Sequence, residues 1–246
     1  MALIIVESPT KARTFNRILK DKKQYFVFAT LGHIRDLPKK RLAIDYNDSF
    51  KPTYEIIPRR RKVVDQMKKL SKENSEIILA TDPDREGESI SYHIAYLLGF
   101  IKEKWPEIRV KPDHMLQRIV FHEITPRVLE EALKKPENLR MDLVKAQQAR
   151  RILDRVVGYE LSPLLWKKIG KNWLSAGRVQ TIALRLIVER EKEIKAFKKE
   201  IYYQIYGVFS TSSKDTEGLK ARLVGKNVIL YDQKFTTTLF DEAGSV

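Results

Sequence analysis

The sequence predicts an α/β fold with a mostly parallel sheet flanked by helices, followed by a helical region and the start of a strand-rich region. Two observations predict this order. In the first half of the chain, short apolar runs typical of buried parallel strands alternate with stretches of helical periodicity. After about residue 140, long amphipathic helical patterns and then alternating strand patterns take their place.

The elements of the first half follow from local patterns. Residues 3–6 predict a buried strand, and Ser8 followed by Pro9 provides the N-cap and first residue of a helix. Further strands are predicted at residues 25–29, 77–80 and 118–121. Further helices are predicted at residues 63–70, 89–98 and 126–133.

The second half has a different character. Long helices are predicted at residues 143–157 and 179–196, and strands at residues 202–209, 219–224 and 228–231. Trp166 and Trp173 are expected in the core, as most tryptophans are. We therefore predict three domains, at residues 1–138, 139–200 and 201–246.

Composition restricts the partners of the chain. Lys and Arg number 47 against 32 acidic residues, and the net charge of +15 favours a polyanion, either nucleic acid or an anionic membrane surface. The absence of cysteine excludes disulfides, thiolate metal sites and a cysteine nucleophile. The apolar start is too short for a signal peptide, and no run approaches the roughly 18 residues that span a bilayer. Nucleic acid is the favoured partner, and no membrane partner is expected.

Acidic residues follow two of the predicted strands directly. Glu7 ends the first strand, and Asp82 and Asp84 follow the third, two apart and therefore on one side of an extended segment. If the strands are neighbours, three carboxylates converge, and either protonation or a cation must relieve their repulsion. Hard oxygen ligands favour Mg²⁺ over zinc. Glu86 and Glu88 extend the cluster into a helix start, where solvated acids are an equally good interpretation.

Basic residues form a spaced set on the first long helix of the second half. Arg150 and Asp154 share one face, and Arg151 and Arg155 share another. Asp154 can orient Arg150, which leaves Arg151 and Arg155 free to bind phosphates. An ordinary salt-bridged helix surface is the alternative.

Several motifs together resemble one family. Residues 6–12, Val-Glu-Ser-Pro-Thr-Lys-Ala, and residues 81–88, Thr-Asp-Pro-Asp-Arg-Glu-Gly-Glu, resemble the TOPRIM domain of type IA DNA topoisomerases. Residues 32–38, Gly-His-Ile-Arg-Asp-Leu-Pro, resemble the family's next loop. Residues 146–159 and 174–181 resemble its helical strand-binding domain. The matches run in the family's order, with bacterial topoisomerase I the most similar branch.

The resemblance implies an activity and its residues. The family breaks one DNA strand by tyrosine attack, passes another strand through the gap and reseals it without ATP, which relaxes negative supercoils. Glu7 matches a general acid and base at the scissile phosphate, and Lys11 matches a lysine that steadies that phosphate. The Mg²⁺ ligands implied are Glu7, Asp82, Asp84 and Glu86.

The resemblance also implies a partner, single-stranded segments of negatively supercoiled DNA. The residues that match DNA-contacting positions are His33, Arg150, Arg151, Asp154, Arg155, Ala176, Gly177, Arg178, Val179, Gln180 and Thr181. Lys167 is a further candidate for a phosphate contact. A monomer located in the cytoplasm with the nucleoid is expected.

The family's nucleophilic tyrosine motif, Thr-Tyr-x-Arg-Thr-Asp, does not occur in this sequence. The chain is therefore expected to be a fragment that binds DNA and Mg²⁺ without relaxing supercoils. Two alternatives stay open. One is another TOPRIM enzyme, such as a nuclease or a primase, although a primase would bring a zinc module and this chain has no cysteine for it. The other is a DNA-binding module without catalysis.

Overall fold

A computed structural model describes residues 1–19, 24–110, 115–199, 206–209 and 219–222 of the chain. The chain divides into two compact units, residues 1–187 and 188–246, which are described separately. None of the helices within the described ranges is both long and apolar enough to cross a membrane.

The described strands, in chain order, are β1 Ala2–Val6, β2 Tyr25–Ala29, β3 Arg35–Asp36, β4 Ile44–Asp45, β5 Lys51–Pro52, β6 Glu55–Ile56, β7 Glu76–Leu79, β8 Ile101–Lys104, β9 Glu107–Val110, β10 Leu116–Arg118, β11 Tyr206–Phe209 and β12 Leu219–Arg222. The described helices are α1 Pro9–Ile18, α2 Arg61–Glu73, α3 Arg85–Leu97, α4 Pro126–Lys134, α5 Met141–Ile169 and α6 Arg178–Ala196. A 3₁₀ turn, Pro58–Arg60, precedes α2.

A four-stranded parallel sheet forms the centre of the first unit, in the order β10-β7-β1-β2. The central strand β1 is buried along its whole length, and its side chains alternate between two apolar cores. Leu3 and Ile5 pack on the side of Met67 and Ile94, whereas Ile4 joins a cluster on the opposite side of the sheet. Helices cover both faces, as parallel sheets require. The predicted α/β class is thus confirmed.

N-cap residues determine where helices α1 and α3 begin, next to the sheet edge. Ser8 caps α1 by accepting the backbone N–H of Lys11 at 3.2 Å, and Pro9 is its first residue, as the sequence predicted. Asp84 caps α3 in the same way, because its Oδ1 accepts the N–H of Gly87 at 2.8 Å. Helix α3 therefore begins at Arg85, four residues before the predicted start at 89.

Several elements differ from the sequence-based expectations. Helix α5 does not stop near residue 157 but continues through Pro163 to Gly170, whose positive φ of 73° ends it. Strand β10 lies at Leu116–Arg118, slightly before the predicted 118–121. The antiparallel hairpin of β8 and β9 was not predicted.

The two tryptophans expected in the core are on the surface, so that prediction was wrong. Trp173 is 73% exposed and Trp166 is 40% exposed. Trp166 donates its indole N–H to the Leu174 carbonyl at 2.6 Å, and Lys171 lies over the Trp173 ring. Trp166 lies in the last turns of α5 and Trp173 in the turn that follows, and each ring has one polar partner there.

The second unit contains the end of α6 and an antiparallel pair, in which Tyr206 of β11 lies opposite Arg222 of β12. These strands fall within the predicted segments 202–209 and 219–224. The remaining positions of those segments, and the predicted strand at 228–231, lie outside the described residues. The domain boundaries at residues 138 and 200 stay a prediction.

Candidate active site

Acidic side chains meet at the carboxyl edge of the parallel sheet. Strands β1 and β7 are adjacent and parallel, so Glu7, which follows β1, lies near Asp82, which follows β7. The Lys11 ammonium lies between them, in an ion pair with Glu7 and 2.6 Å from Asp82 Oδ1. The predicted neighbourhood of these strand ends is therefore present, with a lysine positive charge between the two carboxylates.

The environment pushes the pKa values of the two carboxyls apart. Burial raises the pKa of Glu7 above its usual range, although Lys11 opposes that effect. Partial burial also works to raise the pKa of Asp82, but the hydrogen bond and charge of Lys11 outweigh it and hold that pKa below its usual value. Glu7 is thus the carboxyl that holds a proton more readily, and Asp82 is the one that stays ionised.

The other two predicted metal ligands have different partners. Asp84 uses Oδ1 to cap α3. Glu86 is held by His33, 3.0 Å from its Oε2, and by Gln147, which donates to its Oε1 at 2.6 Å. Within the described ranges no three acidic or histidine side chains are grouped closely enough to hold an ion. The sequence predicted that all four carboxylates lie at one sheet edge. In the structure, only Glu7 and Asp82 of these four share a partner, the Lys11 ammonium.

The atoms present nevertheless fit a hard divalent cation. Glu7 Oε2 is buried and has no hydrogen-bond partner, so one ligand-type oxygen is unused. The Asp82 side chain is half exposed and can receive an ion from solvent. Carboxylate oxygens without sulfur or paired imidazole suit Mg²⁺. The residues that would hold it are Glu7 and Asp82, with Asp84 next in the loop.

The loop that carries Asp82 lies tightly against the start of α3. A Cβ at Gly87 would stand 2.1 Å from the Asp82 carbonyl oxygen, so only glycine fits there. The buried Thr81 hydroxyl donates to the Gly87 carbonyl at 2.8 Å. The loop conformation, and with it the direction of Asp82, is therefore set by packing.

Glu88 is not a solvated helix-start acid, which corrects one of the two sequence interpretations for this residue. It is fully buried and paired with Arg118, a residue that sequence reasoning missed. The sequence does not indicate that Arg118 is buried and paired, because this residue is simply the first of an apolar strand pattern. Gln147 was also missed, although its spacing of four from Arg151 puts it on the same helix face.

The arginines expected to be free for phosphate already have partners within the chain. Arg151 makes two parallel bonds to Asp36, at 2.9 and 2.7 Å. Arg155 donates to backbone carbonyls of the 37–41 loop, the shortest bond being 2.6 Å to Pro38. Since both cations have internal acceptors, a phosphate would have to compete for them.

Asp154 joins two other arginines of the predicted DNA-contacting set. Its carboxylate lies 3.7 Å from Arg150 Nε, which matches the predicted pairing, and 2.9 Å from Arg178 Nε at the start of α6. Helices α5 and α6 are thereby connected at this point, and both guanidiniums remain partly exposed.

The segment before α6 is mostly exposed, as is Lys167 in the last turn of α5. The Ala176 N–H, predicted to approach a phosphate, donates to the Ser162 hydroxyl at 3.1 Å. Gly177 opens the helix by accepting the Thr181 N–H at 3.0 Å. Val179 and Gln180 lie in the exposed first turn.

A polar cavity of about 260 Å³ adjoins Glu86 between α3, α5 and strand β3. His93 lies in its wall, with Nδ1 3.4 Å from the Arg35 guanidinium and its ring edge-on to Tyr54. Burial first, and then the nearby charges of Arg35 and His33, keep the pKa of His93 well below its usual value. The ring is therefore neutral in the folded protein, and Nδ1 accepts.

Because of His93, the stability of the fold is expected to decrease as the pH falls. Its pKa is lowered on folding, so below pH of about 6.5 the unfolded chain binds one proton more than the folded chain. Stability should be lost as pH falls below that value, by about 1.4 kcal/mol per pH unit from this group. Urea unfolding at several pH values, for wild type and His93→Phe, measures it.

The same substitution at exposed His122 is the matched control. We expect His93→Phe to weaken the acid dependence by one proton and His122→Phe to leave it unchanged. Identical slopes for wild type and His93→Phe would show that another group causes the acid sensitivity.

Comparisons with known proteins agree with the order of the motifs. A Toprim domain model matches residues 2–113, and a family model described as DNA topoisomerase matches residues 138–242. The structure of full-length topoisomerase I from Thermotoga maritima is similar to this chain, with a TM-score of 0.74 and 41% sequence identity. The match covers 99% of this chain and 37% of that protein, so the chain spans little more than a third of that relative's length.

Proposed function

Because this chain belongs to the type IA DNA topoisomerase family, we propose that it supplies the carboxylate part of a site that breaks and rejoins one DNA strand. The observation that carries the proposal is the Lys11 ammonium between Glu7 and Asp82 at the sheet edge. The complete enzyme would relax negatively supercoiled DNA without ATP.

Glu7 is the proton-carrying group in this proposal. Burial raises its pKa, so it retains a proton at a pH where an ordinary carboxyl would be ionised. When the strand is cut, it can give that proton to the leaving 3′ oxygen, and when the strand is rejoined it can take the proton back. Its position at the end of a fully buried strand supports such a fixed role.

Lys11 is the phosphate-steadying group. Its side chain is largely buried and the ammonium already balances Glu7 and Asp82, so a scissile phosphate would enter a site where one positive charge is fixed in place. Mg²⁺, which Glu7 and Asp82 would hold with Asp84 next in the loop and Glu86 nearby, would neutralise phosphate charge when bound. The orphaned oxygen of Glu7 supports a cation at this position.

The DNA strand is proposed to run along α5 and the start of α6. The partly exposed Arg150 and Arg178 and the exposed Lys167 support this path, with Arg151, Arg155 and His33 along it. We assign residues 1–138 to the TOPRIM domain, 139–200 to a strand-binding domain and 201–246 to a partial arch. The protein would act as a monomer on DNA in the cytoplasm.

Relaxation of plasmid DNA by the intact enzyme tests the proposal. Negatively supercoiled plasmid with Mg²⁺ should yield a ladder of topoisomers on an agarose gel, and chelation of Mg²⁺ with EDTA should stop the reaction. Linear or nicked products that are never rejoined would favour a nuclease. Synthesis of primers from nucleotides would favour a primase.

Asp36 is expected to compete with DNA for Arg151. Replacing Asp36 by Asn removes the internal anion, so single-stranded DNA should bind about two- to fivefold more tightly at low salt, the range of an exposed ion pair. Arg151→Ala should weaken binding and lower the slope of log affinity against log salt by about one. Fluorescence anisotropy with a labelled oligonucleotide over a salt series measures both.

Arg127→Ala is the control, since Arg127 is an exposed helix arginine away from these residues. Its slope should equal the wild-type value within about a third of a unit. If Arg151→Ala also leaves the slope unchanged, Arg151 has only the internal role seen with Asp36.

A further inference from the structure

We infer that Arg118, paired with Glu88 inside the first unit, is a positioning residue that fixes the backbone of the loop carrying Asp82. The inference deepens the proposed function and rests on it for the consequence at the metal site. It concerns neither a ligand atom nor a group that touches DNA. Arg118 acts on Asp82 through the main-chain carbonyl and not through the carboxylate.

The guanidinium of Arg118 is enclosed and fully used. The side chain is 1% exposed and that of Glu88 is 0% exposed. Nε donates to Glu88 Oε1 at 2.9 Å, and Nη2 lies 2.8 Å from the same oxygen. Nη2 also donates to the Asp82 carbonyl at 3.0 Å, and Nη1 donates to the carbonyls of Leu79 and Ile119. Five N–H groups thus meet five polar contacts.

These contacts join the ends of two neighbouring strands to the acidic loop. Leu79 is the last residue of β7, and Ile119 directly follows β10. Asp82 lies between the end of β7 and the N-cap of α3, so its carbonyl is the loop's anchor on Arg118. The close approach of Gly87 to the same carbonyl fixes it from the other side.

The second oxygen of Glu88 extends the network to α5. Glu88 Oε2 accepts the backbone N–H of Arg140, the N-cap residue of that helix, at 3.2 Å. One buried pair therefore sets both the loop of Asp82 and the start of the helix that carries Gln147, which in turn holds Glu86. Two of the proposed metal-site residues depend on it.

Stability alone does not explain a buried ion pair of this kind. Desolvation of two charges offsets most of their attraction, and well-packed apolar residues of similar volume are often equally or more stable. An apolar pair could fill the space between β10 and α3. It could not donate to the Asp82 carbonyl, and that contact is what the arginine adds.

The test compares an apolar replacement with a conservative one in the whole chain. Arg118→Met with Glu88→Leu fills the same volume and leaves no unpaired charge. We expect it to fold, with faster amide hydrogen exchange at residues 81–88 and Mg²⁺ affinity by calorimetry reduced by about tenfold or more, as for outer partners of metal ligands. Arg118→Lys keeps the charge pair with fewer donors and should give an intermediate loss.

Arg127→Met with Glu131→Leu is the matched control, because that Arg–Glu pair is exposed on α4 and reaches no loop. It should leave exchange at residues 81–88 and Mg²⁺ affinity unchanged. Wild-type exchange and wild-type affinity in the Arg118→Met, Glu88→Leu variant would overturn the inference. If that variant does not fold, the Arg118→Lys comparison decides by the same two readouts.

The same two measurements distinguish a failure of the proposed function from a failure of this inference. A wild-type chain that binds no Mg²⁺ would remove the metal site, whereas hydrogen exchange at residues 81–88 would still report whether Arg118 holds the loop. Mg²⁺ binding in wild type together with unchanged variants would reject the positioning role alone.

Discussion

Replacing Asp82 and Asp84 together by asparagine is expected to abolish Mg²⁺ binding while leaving the fold intact. Both carboxylates follow β7 at the sheet edge, and their removal takes two negative charges from the proposed ion site. We expect the affinity for Mg²⁺, measured by calorimetry, to fall by about 100-fold or more, since such sites are tuned by the charge of their ligands.

Asparagine is the informative replacement because Asp84 has a second task. Its Oδ1 caps α3, and alanine there would cost about 1 kcal/mol of stability through the lost cap. Asparagine caps a helix as well as aspartate does, so a loss of Mg²⁺ binding would not be confused with fraying of α3.

Asp65→Asn with Asp142→Asn is the matched control. Both residues are exposed on helices, and the pair removes the same formal charge from elsewhere on the protein. It should retain Mg²⁺ binding within about twofold, as expected for screened surface charges. Retained binding in the Asp82, Asp84 variant as well would remove the metal-site assignment.

Glu7→Gln in the intact enzyme is expected to slow DNA strand cleavage by about 10²- to 10⁴-fold, the usual contribution of a positioned proton donor. Glutamine keeps the shape of the side chain but cannot deliver a proton to the 3′ oxygen. The raised pKa of Glu7, caused by burial, would prepare it for that proposed step. Cleavage of a labelled single-stranded oligonucleotide gives the rate.

DNA affinity separates this effect from loss of binding. Glutamine at position 7 cannot ionise and compete with DNA for Lys11, so single-stranded DNA should bind equally well or slightly more tightly. A variant that cleaves at the wild-type rate would exclude Glu7 as the proton donor. A variant that binds DNA poorly would instead point to a structural role of this residue.

Much of the framework could be predicted from local sequence. The apolar run of β1, the Ser8-Pro9 start of α1 and the acids after β7 each depend on near neighbours in the chain. Parallel pairing of β1 with β7 was only a condition in the sequence-based prediction, and the structure shows that the two strands are neighbours. The meeting of Glu7 and Asp82 at one edge could therefore be predicted only if that adjacency was assumed.

The partners of the charged side chains could not be predicted from the sequence. Lys11 and Asp82 are separated by 71 positions, and Gln147 and Glu86 by 61. The spacing of Arg151 and Arg155 predicted that they share a helix face. It did not predict that Asp36 and the 37–41 loop would accept hydrogen bonds from their guanidiniums. Each charged group has several partners of similar energy, so the choice among them depends on packed distances.

The sequence by itself determined the fold class, the family and the edge of the sheet where acidic chemistry is concentrated, because strand burial, caps and strand-end acids are local features. Only the tertiary structure decided that Lys11 separates two of the carboxylates, that Glu88 is buried with Arg118, and that α5 continues past Pro163. These outcomes depend on contacts between distant elements, and no local pattern encodes them.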